Sequence, residues 1–376
     1  MKKIGILTLY HNSVNYGAVL QAYALCRVIN RFGYTCEQID YAYNAKPQYM
    51  RLISKALNIR WLVKYIRRNQ GKKKNHYVEI AAQRKIAFDA FKEKYIPHSE
   101  VYYQNELDKC GEQYDAFVVG SDQVWNPDWI TPEMLLAFVP EKKIKISYAA
   151  SIGKYKLTDN QNDFYKKYLD SFHAVSVRET SALSMIEKIY KGPVKKTLDP
   201  TLLLDADEWD EVCTSRLVDK KYIFCYFLSE DREQRKIARE YARRAEYKLV
   251  FIPHAYRYNS SDIGFAEQEV PFASPAEFLS LIKYADCIFT DSFHACVFSG
   301  IYKRQFWVFP RKDSTGMDTR IEEITSLFGA EDHFIRDFKN FSTDQLDLIT
   351  PIKYDNVSED VLDRRESIDF LKNYIN

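Results

Sequence analysis

Short apolar runs and stretches of helical periodicity alternate twice along this chain, and nothing else in the sequence restricts its fold so much. The first series opens with KIGILTLY (Lys3–Tyr10). A segment from Asn15 to Phe32 follows, with Val19, Leu20, Tyr23, Ala24 and Val28 at helical spacing, and it stops at Gly33. TCEQIDY (Thr35–Tyr41), AFVVG (Ala116–Gly120), KISYAAS (Lys145–Ser151), AVSVRE (Ala174–Glu179) and KKTLDPTLLLD (Lys195–Asp205) read as further strands, the last ended by Pro200. The second series runs YIFCYFLS (Tyr222–Ser229), a helix over Glu230–Glu246, KLVFIPH (Lys248–His254), a helix over Pro275–Ala285, CIFTDS (Cys287–Ser292), another helix and QFWVFP (Gln305–Pro310). Apolar strands separated by helices belong to parallel sheets covered on both faces. Two such series, divided near Asp205–Trp209, predict an α/β protein with two doubly wound domains, 1–205 and 206–356. A chain of 376 residues is long enough for two cores.

The seven cysteines are scattered and form no CxxC pair, which points to reduced thiols and a cytoplasmic setting. The apolar run after Met1-Lys2-Lys3 is too short for a signal peptide, and no stretch approaches the roughly 20 apolar residues that span a bilayer. Neither GxGxxG nor GxxxxGK[ST] occurs, so neither familiar nucleotide fingerprint applies, and there is no HExxH. Cys287, His294 and Cys296 match no standard zinc spacing, so no metal is expected.

Charge is unevenly spread. From Tyr41 to Val78 there is no acidic residue but ten basic ones: Lys46, Arg51, Lys55, Arg60, Lys64, Arg67, Arg68, Lys72, Lys73 and Lys74. Taking those ten from the overall +2 leaves the remainder of the chain at −8. Apolar pairs recur between the basic residues from Leu52 to Ile66, which describes a basic amphipathic helix within a segment at 46–75. Such a helix either packs on the first domain with a solvated basic face or docks on an anionic membrane surface. Nucleic acid is not expected, because the rest of the chain is net acidic.

Open parallel sheets bind ligands beyond the carboxyl ends of their strands. His294 sits there, on the first turn of the helix that follows Cys287–Thr290. Ser292 or Asp291 can cap that helix, and the amides of a helix start favour anions. The helix field disfavours an imidazolium while a bound anion favours one, and a histidine balanced between the two suits acid–base work. A helix-start histidine bonded to a carbonyl is the plain alternative. Arg178 ends a strand and precedes a helix near Thr180, where it can grip a carboxylate or phosphate with two bonds or pair with Glu179. Asn15, Tyr16 and Gly17 precede a helix, offering either amides for an anion or simply a good helix start. Ser121 and Asp122 form a polar turn beyond a strand, and Trp125 can stack on a sugar or seal the interdomain core.

Taken in order, NYGAVLQAYAL, VVGSDQVWNP, SYAASIG, VSVRETSAL, LDPTLLLD, SPAEFLSLIKYADCIFTDSFHACVFSGIYKRQFWVF and DTRIEEITSLFG resemble the polysaccharide pyruvyl transferase family over about residues 4–330. Members usually carry Gly after the histidine, where this chain has Ala295. The resemblance implies a GT-B-like fold of two facing Rossmann-like domains. It implies transfer of pyruvate from phosphoenolpyruvate to a polysaccharide or lipid-linked sugar as a cyclic ketal, with no cofactor beyond that donor. His294 and Arg178 take the catalytic positions; Asn15, Tyr16, Gly17, Ser121, Asp122, Trp125, Asp291 and Ser292 become candidate substrate-binding residues. A lipid-linked acceptor fits a cytoplasmic enzyme peripheral to the inner face of a membrane. A GT-B nucleotide-sugar glycosyltransferase and a non-catalytic sugar-binding protein are the alternatives. At the chain's end, Val361, Leu362, Ile368, Phe370, Leu371 and Tyr374 suit a helical apolar face, and a helix within 357–376 is expected to return onto the first domain.

Overall fold

A computed structural model describes residues 1–42, 72–254, 259–311, 318–356 and 364–376. The expected amphipathic helix at Leu52–Ile66 lies outside the described residues, as does the 46–75 segment up to the helix that begins at Lys72.

The first sheet contains β1 (Lys3–Leu7), β2 (Thr35–Tyr41), β3 (His98–Tyr102), β4 (Ala116–Val119), β5 (Ile144–Ala150), β6 (Ala174–Val177) and β7 (Val194–Lys196). Its order is β3-β2-β1-β4-β5-β6-β7, with every pair parallel. Helices α1 (Tyr16–Asn30), α2 (Lys72–Tyr95), α3 (Leu107–Gln113), α4 (Asp159–Leu169) and α5 (Thr180–Ile189) accompany it. The second sheet, β10-β9-β8-β11-β12, is also parallel throughout. Its strands are β8 (Tyr222–Tyr226), β9 (Lys248–Phe251), β10 (Gln268–Glu269), β11 (Cys287–Thr290) and β12 (Gln305–Val308). Among the described residues the other helices are α6 (Ala206–Asp210), α7 (Arg232–Arg244), α8 (Pro275–Lys283), α9 (Phe293–Ile301), α10 (Asp318–Leu327) and α11 (Arg364–Ile375).

Strand order reverses between β1 and β4 in one sheet and between β8 and β11 in the other, and α1 and α9 start at those two switch points. Local chemistry fixes several helix starts. Ser274 accepts from Glu277 N–H while the Glu277 side chain takes Ser274 N–H, with Pro275 at the first helical position of α8. Asp231 accepts from Glu233 N–H to open α7, and such a cap contributes about 1 kcal/mol.

Two sequence expectations change here. The strand expected from Lys195 up to Pro200 stops at Lys196, because the Asp199 carboxylate accepts from Thr201 N–H and Oγ1 and starts a 3-10 turn at Pro200–Leu203. β3 was not expected: HSEVY lies at the sheet edge with most of its residues outside the core, so it lacks an apolar run.

One apolar cluster runs through both domains, from Ile4 and Val19 through Trp209 to Phe298 and Ile375. Across the domains, Tyr16 stacks on Phe278 at 4.3 Å and Tyr23 packs on Trp209 with ring centres 5.5 Å apart. Arg84 of α2, almost fully buried, donates to Pro253 O (2.9 Å) and Pro271 O (2.9 and 2.6 Å) of the second domain. The last helix lies on the first domain. Leu198 N–H donates to Ser367 Oγ at 3.0 Å, Arg364 Nε donates to Leu202 O at 2.7 Å, and Lys195 pairs with Glu366. Among the described residues no helix is long and apolar enough to cross a membrane.

Candidate active site

The centre of the site is a carboxylate from the turn after β7. Asp199 is fully buried and saturated: Oδ2 accepts from Ser121 Oγ (2.9 Å) and Arg178 Nη1 (2.6 Å), and Oδ1 accepts from Thr201 N–H and Oγ1. His294 Nε2 stands 3.7 Å from Oδ2, beyond hydrogen-bond length. Burial works to raise the Asp199 pKa, but His294, Arg178 and the Thr201 hydroxyl outweigh it and hold the carboxyl well below its ordinary range.

Arg178, at the end of β6, is buried with only one of its nitrogens on Asp199. Its Nε and Nη2 have no hydrogen-bond partner among the described residues, and neither has His294 Nε2. The guanidinium lies over the Phe293 ring at 4.5 Å, with Asp122 at 3.9 Å and Glu179 at 4.0 Å from Nη2. Burial opposes its charge, and the carboxylates of Asp199, Glu179 and Asp122 outweigh burial and raise its pKa. A second buried guanidinium, Arg320 of α10, approaches Glu179 at 3.8 Å. Burial and then the charge of Arg178 lower its pKa to about 10. The Glu179 carboxylate, which also takes the Ser151 hydroxyl, therefore sits between two cations.

His294 packs against the start of α1 in the other domain, where Gly17 leaves room for the imidazole. Ser292 is the N-cap residue of α9, but its side chain makes no cap bond, and its N–H goes to Thr290 Oγ1 at 3.0 Å. A cleft of about 240 Å³ opens beside the cluster, lined among others by Arg178, Lys196, Asp199, Phe293, Arg320 and Ser367. Asp122, 3.9 Å from Arg178, holds strained backbone beside the cluster, with φ 72° and ψ −173°, a region that costs a non-glycine residue about 1–3 kcal/mol.

The structure thus brings together His294, Arg178, Gly17, Ser121, Asp122 and Ser292, but it assigns Ser121 to holding Asp199. Three expected substrate contacts, Trp125, Tyr16 and Asp291, are corrected. Trp125 is fully buried inside the first domain, its Nε1 donating to Met134 O at 3.0 Å, so it neither stacks on a sugar nor seals the interdomain core. Tyr16 is consumed by the domain interface, its hydroxyl donating to Ala273 O at 2.7 Å. Asp291 is no helix cap: its carboxylate accepts from Leu228 and Ser229 N–H at 2.7 and 2.9 Å, fixing the loop after β8. Asn15 caps α1 through Ala18 N–H at 3.2 Å, the plain helix-start role. Sequence reasoning missed Asp199, Glu179 and Arg320. LDPT was the available signal for the first, since an aspartate before proline commonly starts a turn. Among the described residues no group of three His, Cys, Asp or Glu is placed to hold a metal ion.

Two facing, doubly wound parallel-sheet domains with their switch points opposed define the GT-B fold, and comparison with solved structures agrees. A UDP-GlcNAc 2-epimerase from Methanocaldococcus jannaschii superposes with a TM-score of 0.57 at 12% identity, over 99% of this chain and 98% of its own. An S. aureus MnaA–UDP structure gives 0.52 at 13% identity, over 100% and 90%. At such identities the likeness is one of fold. No curated protein matches the chain. A family model described as polysaccharide pyruvyl transferase matches residues 15–313, and the chain belongs to that family.

Proposed function

We propose that this protein transfers pyruvate from phosphoenolpyruvate to a sugar of a polysaccharide or lipid-linked glycan, forming a cyclic ketal. The observation that carries this reading is the pairing of two buried, incompletely bonded groups at one carboxylate. Arg178 presents Nε and Nη2, and His294 presents Nε2, beside Asp199. An anionic donor supplies the acceptors that Arg178 lacks, and the amides at the start of α9 add to the same field.

The reaction needs a proton carrier next to that anion site. His294 gives a proton to the methylene carbon of the enol, leaving an oxocarbenium-like centre at the carbon that bears phosphate. A sugar hydroxyl adds there and releases its proton. The bond from that carbon to the phosphate oxygen then breaks, and a second hydroxyl closes the ring. Of the two hydroxyl protons, one balances the proton now in the ketal methyl group and the other leaves on phosphate. No cofactor enters this balance. Asp199 orients Arg178 through the bond from Nη1 to Oδ2. With a lipid-linked acceptor, the basic charge of 46–75 favours a place at the cytoplasmic face of an anionic membrane.

The test is a reaction in D2O with phosphoenolpyruvate and a glycan acceptor, followed by NMR of the product. A ketal whose methyl group carries one deuterium supports the reading; phosphoenolpyruvate left intact with every acceptor refutes it.

A further inference from the structure

Two loops begin at the reacting cluster and run outward from the carboxyl ends of β4 and β5. The first leaves Asp122, 3.9 Å from Arg178, and rolls Trp125 into the core. Four residues later it presents Trp129, which is 39% exposed. That indole is held in place: Nε1 donates to Gln123 O at 3.1 Å, and the backbone N–H donates to Asn126 O at 3.2 Å. The second loop leaves Ser151, bonded to Glu179, and presents Tyr155, which is 52% exposed. Four residues of chain keep its Cα within about 14 Å of Ser151. Burial, and then the charges of Asp318 and Glu322 on α10, the helix that carries Arg320 to Glu179, raise the pKa of its phenol. The loop that carries Tyr155 therefore starts at the cluster, at Ser151, and meets the first loop at Lys154.

The loops form one built surface. Lys154 pairs with Asp128 at 2.6 Å. Gly153, at φ +65°, lets the second loop turn against Gln123, whose side-chain amide would lie 2.6 Å from any Cβ there. Gln123 is also the residue whose carbonyl fixes Trp129.

We propose that Trp129 and Tyr155 are an acceptor subsite that binds a sugar ring of the glycan by stacking, with Asp128 and Lys154 meeting its hydroxyls. This rests on the reading of the protein as acting on a glycan. A pyranose offers a flat face of C–H groups to an aromatic ring and a rim of hydroxyls to neighbouring charges. A nucleobase could also stack, but local charge argues against a nucleotide. The carboxylates of Asp128, Asp318 and Glu322 place negative charge around these rings, and Lys154 and Arg336 are already paired with Asp128 and Glu322. The buried cations lie deeper, at Arg178 and Arg320. The buried cations thus suit an anion, and the exposed rings on the two loops suit a neutral sugar.

Trp129→Ala, Trp129→Phe and Tyr155→Ala change exposed side chains, and circular dichroism checks that each folds. Cellobiose, lactose and chitobiose are the probes, titrated by tryptophan fluorescence and saturation-transfer NMR. The wild type should bind at least one of them, each alanine variant about tenfold more weakly, and Trp129→Phe almost as well as the wild type. In a phosphate-release assay the alanine variants should raise the acceptor KM about tenfold and leave the KM for phosphoenolpyruvate unchanged. Trp129-dependent binding by an enzyme that leaves phosphoenolpyruvate intact would uphold the subsite and fault the transfer reading. Phosphate release with unaltered acceptor KM in both alanine variants, or no binding of any probe by the wild type, would overturn the subsite.

Discussion

The imidazole of His294 occupies the space that a side chain at Gly17 would need: a Cβ there would lie 1.9 Å from Nδ1 and 2.4 Å from Cγ and Cε1. The ring has little freedom to retreat, with Phe293 edge-on at 5.1 Å and Asp199 beyond its other nitrogen. Helix propensity alone would make Gly17→Ala stabilising by about 1 kcal/mol. Because the new methyl must displace the imidazole, the variant is instead expected to keep its helix content and lose about 10²-fold in turnover. Circular dichroism and steady-state phosphate release read the two separately; an undiminished rate would mean that the ring does no work where it stands.

Asp199→Asn should destabilise the protein by about 3–5 kcal/mol at pH 7, since it leaves Arg178 buried without its nearest counter-charge. The pH dependence has a definite sign. The folded pKa of Asp199 is depressed, so its contribution is fully present above the unfolded value of about 3.9 and is lost as pH falls below it towards the folded value. Urea titrations should show the gap between wild type and variant narrowing from pH 7 to pH 3. A gap that stays constant would take the ionised carboxylate out of the account.

Anions should stabilise the folded state. Arg320, its pKa lowered to about 10 by burial and by Arg178, carries its charge at a cost that is relieved as pH rises through that value, or at neutral pH by a bound anion. Phosphoenolpyruvate and inorganic phosphate should raise Tm, by the equivalent of about 2.7 kcal/mol at a hundred times Kd. Arg178→Lys keeps the charge but not the paired geometry, and should lose most of that shift. Equal shifts in both proteins would move the anion site elsewhere.

The domains should be harder to separate than a cleft enzyme suggests. Arg84 spans them through the carbonyls of Pro253 and Pro271. Arg84→Met keeps an apolar stem and removes the donors. Charged hydrogen bonds are worth about 1.5–3 kcal/mol each, so a loss of at least about 2 kcal/mol is expected in chemical denaturation. A change under about 0.5 kcal/mol would show that the clamp is idle.

Much of this fold was legible because its central strands are buried on both faces. AFVV, YIFCY and CIFT are buried at every position and apolar at all but Thr290, and such runs have few other homes. The edge strand HSEVY has no such run, and in KKTLDPTLLLD the strand ends at Lys196, before Pro200, because the Asp199 side chain starts the turn. His294, Arg178 and Gly17 were legible from their places at strand ends and helix starts. WNPDW shows the limit of local reading. The tryptophan that turns inward is fixed by Met134 O on its Nε1 and by the Tyr165 hydroxyl on its own carbonyl, the latter 40 residues away. Asp199, Glu179 and Arg320 meet only through tertiary structure, so no spacing announces them.

The central claim stands or falls on what happens to phosphoenolpyruvate when a glycan acceptor is added. The account predicts one inorganic phosphate released per ketal formed, release that requires the acceptor, and a fall of about 10²–10⁴-fold in His294→Ala. Release of a nucleoside diphosphate from a sugar nucleotide, with phosphoenolpyruvate unconsumed, would contradict it.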